Sequence, residues 1–325
     1  MLLAGDVGGT KTLLGIFDRA AERPRPIVVR SFSTLDYDDI TTMIAELLNT
    51  SATAHTAIET ACFGVAGPVI GESATMTNIP WRIDAGRIRS AFGFRVKLLN
   101  DLEAMAYSIP VLQPDEVHVL QQGDPIAGGN IALIAAGTGL GEALLLRVDG
   151  RYVASPTEAG HADFGARTER ELELVRELTP RFGRVEVERV VSGRGLLVVH
   201  TFTHTQPCEA GVDVNDPDAA AVISSAALER RCPGCVEALD LFVEAYGAEA
   251  GNLALRSAAT GGVFVGGGIA PKILPAMTAG SFVRAFNAKE PLEQMVQRMP
   301  VKVILNAEAG LLGAAVYAAS VRAAT

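Results

Sequence analysis

The sequence predicts a two-domain α/β protein, and three observations carry that prediction. Its 325 residues exceed what one ordinary hydrophobic core organises. Short apolar strands alternate with segments of helical periodicity along most of the chain. One local pattern, strand then glycine turn then strand, occurs near Asp6 and again near Ala136.

The elements follow in order. Leu2 to Gly8 and Thr12 to Asp18 are apolar runs parted by Gly8-Gly9, and Pro26 to Ser33 supplies a third; together they suit an antiparallel hairpin and its neighbour. Asp38 to Leu48 carries helical spacing, while Ile58 to Val65 and Val96 to Leu99 read as buried strands. Asn100-Asp101 stands where the second of these gives way to a helix, Leu102 to Ser108, which Pro110 stops. The pattern restarts with a strand from Ile131 to Ala136, a turn at Gly137-Thr138-Gly139-Leu140-Gly141 and a strand from Glu142 to Arg147. Asp149-Gly150 then signals a tight hairpin into Tyr152 to Ser155. Helices dominate from Glu169 to about Ala258. Gly261 to Val265 and Val301 to Leu305 are the last strands, with a helix predicted from Pro271 between them and a closing helix over Ala309 to Arg322.

Composition narrows the function. Hydrophobic residues make up 49% and charged residues 20%, which suits a compact enzyme and not a disordered chain. The apolar runs are too short to span a bilayer, and no charged n-region or apolar h-region follows Met1, so no signal peptide is expected. A formal net charge of −9 argues against nucleic acid as a partner. Four cysteines do not make a disulfide framework, so a cytoplasmic setting is expected.

Four constellations can carry chemistry. In Gly5-Asp6-Val7-Gly8-Gly9-Thr10-Lys11, paired glycines let backbone turn with positive φ and approach a phosphate, and Asp6 offers oxygen to Mg²⁺, directly or through water. Read alone it is also an ordinary hairpin. Gly137-Thr138-Gly139 is either a second phosphate cradle or a bulged hairpin. Gly266-Gly267-Gly268 closes a strand with a flat surface suited to adenine or ribose, or simply lets a helix pack closely. Asn100-Asp101 places a carboxylate at a strand's C-terminal end, where open α/β sheets bind ligands; Asp101 can take a hydroxyl proton, and the pair also makes a good N-cap.

Asp6-Val7-Gly8-Gly9-Thr10 resembles the first phosphate motif of the sugar-kinase, actin and heat-shock chaperone superfamily. Gly137-Thr138-Gly139 is similar to its second phosphate motif and Gly266-Gly267-Gly268 to its adenosine motif. Within that superfamily the chain resembles the bacterial glucokinases from residue 2 to about residue 320. The resemblance rests on Gly64-Val65-Ala66-Gly67-Pro68, Met76-Thr77-Asn78, Asn100-Asp101-Leu102-Glu103-Ala104, Glu158-Ala159-Gly160-His161, Glu188-Arg189-Val190-Val191-Ser192-Gly193 and Gly310-Leu311-Leu312-Gly313, in the family's order.

The resemblance implies a two-domain actin-like ATPase (ribonuclease H-like) fold with a central interdomain cleft. The smaller domain is expected over residues 1–109 plus 307–325 and the larger over 110–306, with crossings near Pro110 and Asn306. It implies phosphorylation of glucose to glucose 6-phosphate by ATP with Mg²⁺, with Asp101 as the base. Asn78, Asn100, Asp101, Glu158, His161 and Glu188 are then the substrate-binding set, since carboxylates, Asn and His suit sugar hydroxyls. Asp6, Gly8, Gly9, Thr10, Lys11, Gly137, Thr138, Gly139, Gly266, Gly267 and Gly268 are implied as the nucleotide-binding set, with Asp6 toward the metal, in a homodimer. At residue level His161 reads equally as a core histidine and Glu188 as a surface residue.

One departure concerns zinc. Repressor–kinase sugar kinases carry a cysteine cluster after their Glu-x-Gly-His motif that holds a structural zinc, whereas here Ala162-Asp163-Phe164 follows His161. Cys232-Pro233-Gly234-Cys235, with His200, His204 and Cys208 upstream, fits no standard finger spacing, and no tightly held zinc is expected. Other readings are a kinase for another hexose, a non-catalytic sugar-binding regulator and a filament-forming ATPase. Relatives that regulate transcription place a helix-turn-helix ahead of the first phosphate motif, which begins here at Asp6; the polar set around Asn100, Glu158 and His161 speaks against a filament.

Overall fold

The computed structural model describes residues 1–20, 22–49, 57–77 and 79–321. Its strands are β1 (Leu2–Val7), β2 (Lys11–Asp18), β3 (Arg25–Ser33), β4 (Thr60–Val65), β5 (Val69–Ile70), β6 (Ser73–Thr75), β7 (Arg82–Asp84), β8 (Arg95–Asn100), β9 (Val117–Gln121), β10 (Ile131–Ala136), β11 (Leu140–Val148), β12 (Arg151–Thr157), β13 (Gly262–Gly266) and β14 (Val301–Ile304). The chain forms two compact units, one of Met1–Gln113, Tyr152–Pro156 and Asn306–Thr325, the other of Pro114–Arg151 and Thr157–Leu305.

In the first unit the sheet order is β3-β2-β1-β4-β8. β1, β2 and β3 pair antiparallel, and β4 and β8 then join in parallel. Both faces of β1 are covered. Leu3 and Val7 point into a core with Leu14, Ile16 and Phe63, while Leu2 and Ala4 point at Leu311, Ala314 and Ala315 of the Ala309–Ser320 helix. Because strand side chains alternate, Asp6 lies on the same face as Leu2 and Ala4, level with the start of that helix. The Asp101–Ser108 helix packs against the same helix, with the Tyr107 and Tyr317 rings 4.9 Å apart. A small antiparallel sheet, β5-β6-β7, and the Ala85–Phe92 helix fill the stretch before β8. These elements leave no clear mark in the sequence, since strands of two or three residues are too short to show periodicity.

In the second unit the sheet's strands are ordered β11-β10-β13-β14-β9. β10 and β11 form a hairpin, and β13 and β14 add in parallel, which echoes β2, β1, β4 and β8. β9, antiparallel to β14, has no clear strand signature because its mixed sequence, Val-His-Val-Leu-Gln, is only half-buried. Ala132, Ile134 and Ala136 of β10 and Val263 and Val265 of β13 share a core with Phe242 and Tyr246 of the long Pro233–Ser257 helix. The helix expected from Pro271 begins at Leu274, because Gly267 to Ile273 are used in turns against the end of β10. Among the described residues no helix is long and apolar enough to cross a membrane.

Candidate functional site

In the first unit the β1–β2 turn is closed by Gly8 N–H donating to the Lys11 carbonyl at 3.1 Å. Thr34 braces it twice, its N–H donating to Thr10 O at 2.9 Å and its hydroxyl to Gly8 O at 2.8 Å. Buried Thr12 meets the same hydroxyl at 2.8 Å. The expectation of a positive φ does not hold at Gly8. Glycine is needed there because a Cβ would stand 2.8 Å from the Lys11 carbonyl.

Asp6 lies behind this turn. Its carboxylate faces Gly310, where an added Cβ would come within 2.7 Å of Oδ2, so the first turn of the Ala309–Ser320 helix accepts the carboxylate only because residue 310 is glycine. Burial pushes the Asp6 pKa up to about 6, the neighbouring Asp101 charge adds to this, and Lys11 opposes it. Asp101 opens its helix directly after β8. Asn100 is the N-cap, its Oδ1 accepting from Leu102 N at 3.0 Å and Glu103 N at 3.4 Å while its amide donates to Gly67 O at 3.3 Å. Capping and a ligand role are therefore compatible only in part, since the Asn100 oxygen is already engaged. Burial raises the Asp101 pKa, and a hydrogen bond from Leu102 N at 2.8 Å limits the rise. Two carboxyl groups, both made costly to ionise by burial, form a place where a divalent cation gains most. Asn78 lies outside the described residues.

In the second unit the Gly137-Thr138-Gly139 turn is closed by Gly137 N donating to Gly139 O at 2.8 Å. Glu188 sits against it: its Oε2 accepts from Leu140 N at 2.8 Å and would lie 2.5 Å from a Cβ at residue 139. Gly193, first residue of the Gly193–Thr203 helix, donates its N–H to Gly137 O at 2.8 Å, and the N-cap Ser192 hydroxyl donates to Glu188 O at 2.7 Å. The third glycine segment joins here too. Gly267 has φ +83°, a Cβ there would lie 2.3 Å from the Ala136 carbonyl oxygen, and Ile269 N donates to Ala136 O at 3.3 Å. Any side chain at 267 would be strained twice, by φ and by space. Gly268 is open, with nothing near an added Cβ.

His161 ends a short 3₁₀ turn that follows the exposed Glu158, whose carbonyl accepts the His161 N–H at 3.0 Å. The imidazole is half exposed, and its Nδ1 lies 3.1 Å from Glu186 Oε2. His161, Glu186 and Glu188 bring their donor atoms within 4.8 Å of one another, and Arg189 pairs with Glu186 at 3.1 Å. The second unit thus gathers His161 and Glu188 beside the second glycine turn, with Glu158 preceding them. The first unit gathers Asp6, Asn100 and Asp101.

Two contributors are not legible in the sequence. Glu186 orients His161, yet it reads as one more charge in an Arg-Val-Glu-Val-Glu-Arg run. Tyr246 is wholly buried; its hydroxyl accepts from Ala136 N at 3.1 Å and lies 3.4 Å from the carbonyls of Ile134 and Gly266. It holds the ends of β10 and β13, from which both glycine turns depart. A tyrosine in a long apolar helix carries no sequence signal for that task.

The glucokinase family model matches residues 3–321. A glucokinase from Nostoc punctiforme is 38% identical over 98% of this chain and 99% of its own. Among solved structures, a glucokinase from an Antarctic psychrotroph superposes with a TM-score of 0.86 at 28% identity, covering 98% of both chains. A glucokinase of the ROK family from Streptomyces griseus, solved with glucose and AMPPNP, shares the fold with a TM-score of 0.66 at 23% identity and 98% coverage of each chain.

Proposed function

The chain belongs to the glucokinase family, and from that premise we propose how it transfers the γ-phosphoryl group of ATP to glucose. The observation that carries the mechanism is Asp101, a desolvated carboxylate fixed at a helix start by the Asn100 cap. Its raised pKa makes it a better base than an exposed aspartate, and it takes the proton of the sugar's 6-hydroxyl as that oxygen attacks the γ-phosphorus in line. Asn100, Glu158, His161 and Glu188 hold the other hydroxyls, with Asn78 in the same set. A site built to hydrogen-bond hydroxyls discriminates strongly against analogues that leave its polar groups unpaired.

On the donor side, Gly8, Gly9 and Thr10 with Lys11, and Gly137, Thr138 and Gly139, offer backbone to the phosphates, and Gly266 to Gly268 offer an open surface to the adenosine. Asp6 fits a Mg²⁺ held with the nucleotide, directly or through water, because its carboxylate stands beside that of Asp101 and is costly to ionise alone. Such an ion neutralises phosphate charge as it develops. We further take residues 1–109 plus 307–325 and 110–306 as the functional domains, a homodimer as the assembly and the cytoplasm as the setting, since four cysteines in 325 residues do not make a disulfide framework.

A coupled assay over glucose, mannose, fructose and N-acetylglucosamine, with ATP, ADP and polyphosphate as donors, tests the reading. Glucose with ATP should give the highest kcat/KM, and EDTA should abolish turnover until Mg²⁺ is restored. A preference for N-acetylglucosamine would overturn the substrate. Glucose binding with no turnover under any donor would make the chain a sensor.

A further inference from the structure

Five side chains of the second unit that take no part in the proposed reaction converge on one point: His200, His204, Cys208, Cys232 and Cys235. His200 and His204 are four residues apart at the end of the Gly193–Thr203 helix, so they share a face, and their ring centroids are 3.8 Å apart. Cys232 caps the Pro233–Ser257 helix and Cys235 lies in its first turn. Cys208 comes from the loop between.

The distances suit a metal. His204 Nδ1 lies 2.7 Å from the His200 carbonyl, which obliges Nδ1 to carry the proton and leaves the Nε2 lone pair free. That Nε2 is 3.2 Å from Cys232 Sγ, and Cys208 Sγ is 3.7 Å from Cys232 Sγ and 3.6 Å from Cys235 Sγ. Donors at zinc bond lengths around a tetrahedral centre stand roughly 3.3–3.8 Å apart. An imidazole whose far nitrogen donates to a backbone carbonyl is the orientation that metal-ligating histidines use. Gly234 makes the approach possible, since a Cβ there would lie 2.7 Å from His204 Nε2. A separate observation points the same way. His200 is buried, and neither of its ring nitrogens has a hydrogen-bond partner among the described residues. The donor atoms of His200, His204, Cys208 and Cys235 all fall within 4.8 Å of one another.

We propose that His204, Cys208, Cys232 and Cys235 bind one structural Zn²⁺, with His200 lining the pocket beside it. Three thiolates and an imidazole select a borderline-soft cation over Mg²⁺ or Ca²⁺. The sequence spacing had argued against zinc because 23 residues, including the Ala219–Leu228 helix, separate Cys208 from Cys232; the fold brings the two thiols together across that insertion. The ion would staple the end of the Gly193–Thr203 helix, whose other end holds Gly137, to the helix that carries Tyr246. It would act on stability and take no step in phosphoryl transfer.

Zinc content of the full chain, purified reduced in zinc-supplemented medium and dialysed against metal-free buffer, tests this together with the absorption spectrum after exchange into Co²⁺. One equivalent of zinc is expected. Cobalt should show the intense visible bands of a tetrahedral site and a thiolate charge-transfer band. Stripping with a strong chelator should lower Tm, and zinc should restore it. Cys208→Ser and Cys235→Ser should each lose the charge-transfer intensity and bind cobalt at least tenfold more weakly, with Cys62→Ala, whose thiol lies in the first unit, retaining both. Wild-type protein with well under one equivalent of zinc and no cobalt–thiolate band would overturn the proposal, as would a disulfide among Cys208, Cys232 and Cys235 in protein that binds no metal. The wild-type spectra decide the matter even where a variant fails to fold.

Discussion

The two glycine turns look alike in sequence and are held by different chemistry. The β1–β2 turn is braced by neutral groups, the Thr34 hydroxyl and amide, and its carboxyl groups, Asp6 and Asp101, stand behind it, made hard to ionise by burial. The β10–β11 turn is braced by a charge, the Glu188 carboxylate, together with the first N–H of a helix. The first arrangement keeps its carboxylates available for reaction and for a cation. The second commits a carboxylate oxygen to architecture, so that Glu188 positions the turn as well as facing His161. A similar backbone therefore serves reactivity in one unit and positioning in the other.

The sharpest way to break this comparison is Asp101→Asn, which keeps shape and removes the base. Its kcat should fall on the order of 10²–10⁴-fold while glucose affinity, followed by the fluorescence of Trp81, changes much less. Near-normal turnover would remove Asp101 from the chemistry and erase the contrast.

Next in size is Glu188→Ala. Losing the acceptor for Leu140 N should loosen the second turn and lower kcat/KM for both ATP and glucose by on the order of 10–100-fold, since displacements near 1 Å at a reacting centre cost that much. A loss confined to glucose would show that Glu188 contacts sugar and does not brace. The neutral brace offers the control: Thr34→Val should move KM for ATP and leave KM for glucose nearly unchanged.

The first unit's charges also set an acid limit. Asp6 must be ionised to hold a cation, so kcat/KM for ATP in the free enzyme should fall about tenfold per pH unit below about 6. Asp6→Asn should abolish that limb along with most activity. A profile flat down to the ordinary carboxylate range would place Asp6 in a solvated setting.

The smallest effect runs in the opposite pH direction and belongs to the second unit. Glu142, fully buried on β11, has its pKa pushed up to about 8 by burial and by the neighbouring Glu249. Because the folded pKa exceeds the unfolded one, the folded state binds the extra proton. Its stabilisation is complete below the ordinary value of 4.5 and is lost as pH rises through about 8. Glu142→Gln should remove that loss, gaining on the order of 1–3 kcal/mol over wild type at alkaline pH in denaturant melts. Parallel stability curves for the two proteins would show that Glu142 ionises freely in the fold.

Much of this molecule was determined by its sequence alone. Strand alternation in Leu-Leu-Ala-Gly-Asp-Val already sets Asp6 on the face of Leu2 and Ala4, and Asn-Asp after Leu98-Leu99 marks a strand end and a helix cap together. These are local facts, fixed by periods of two and 3.6 residues and by which side chains satisfy a helix's first N–H groups. Only the tertiary structure decided the rest. That Gly310 exists to admit Asp6, that Glu188 reaches Leu140, that Tyr246 ties β10 to β13 and that Cys208 meets Cys232 are pairings across tens to hundreds of residues. Chain packing selects such partners from many chemically equivalent candidates, and no local pattern distinguishes the one that will be adjacent.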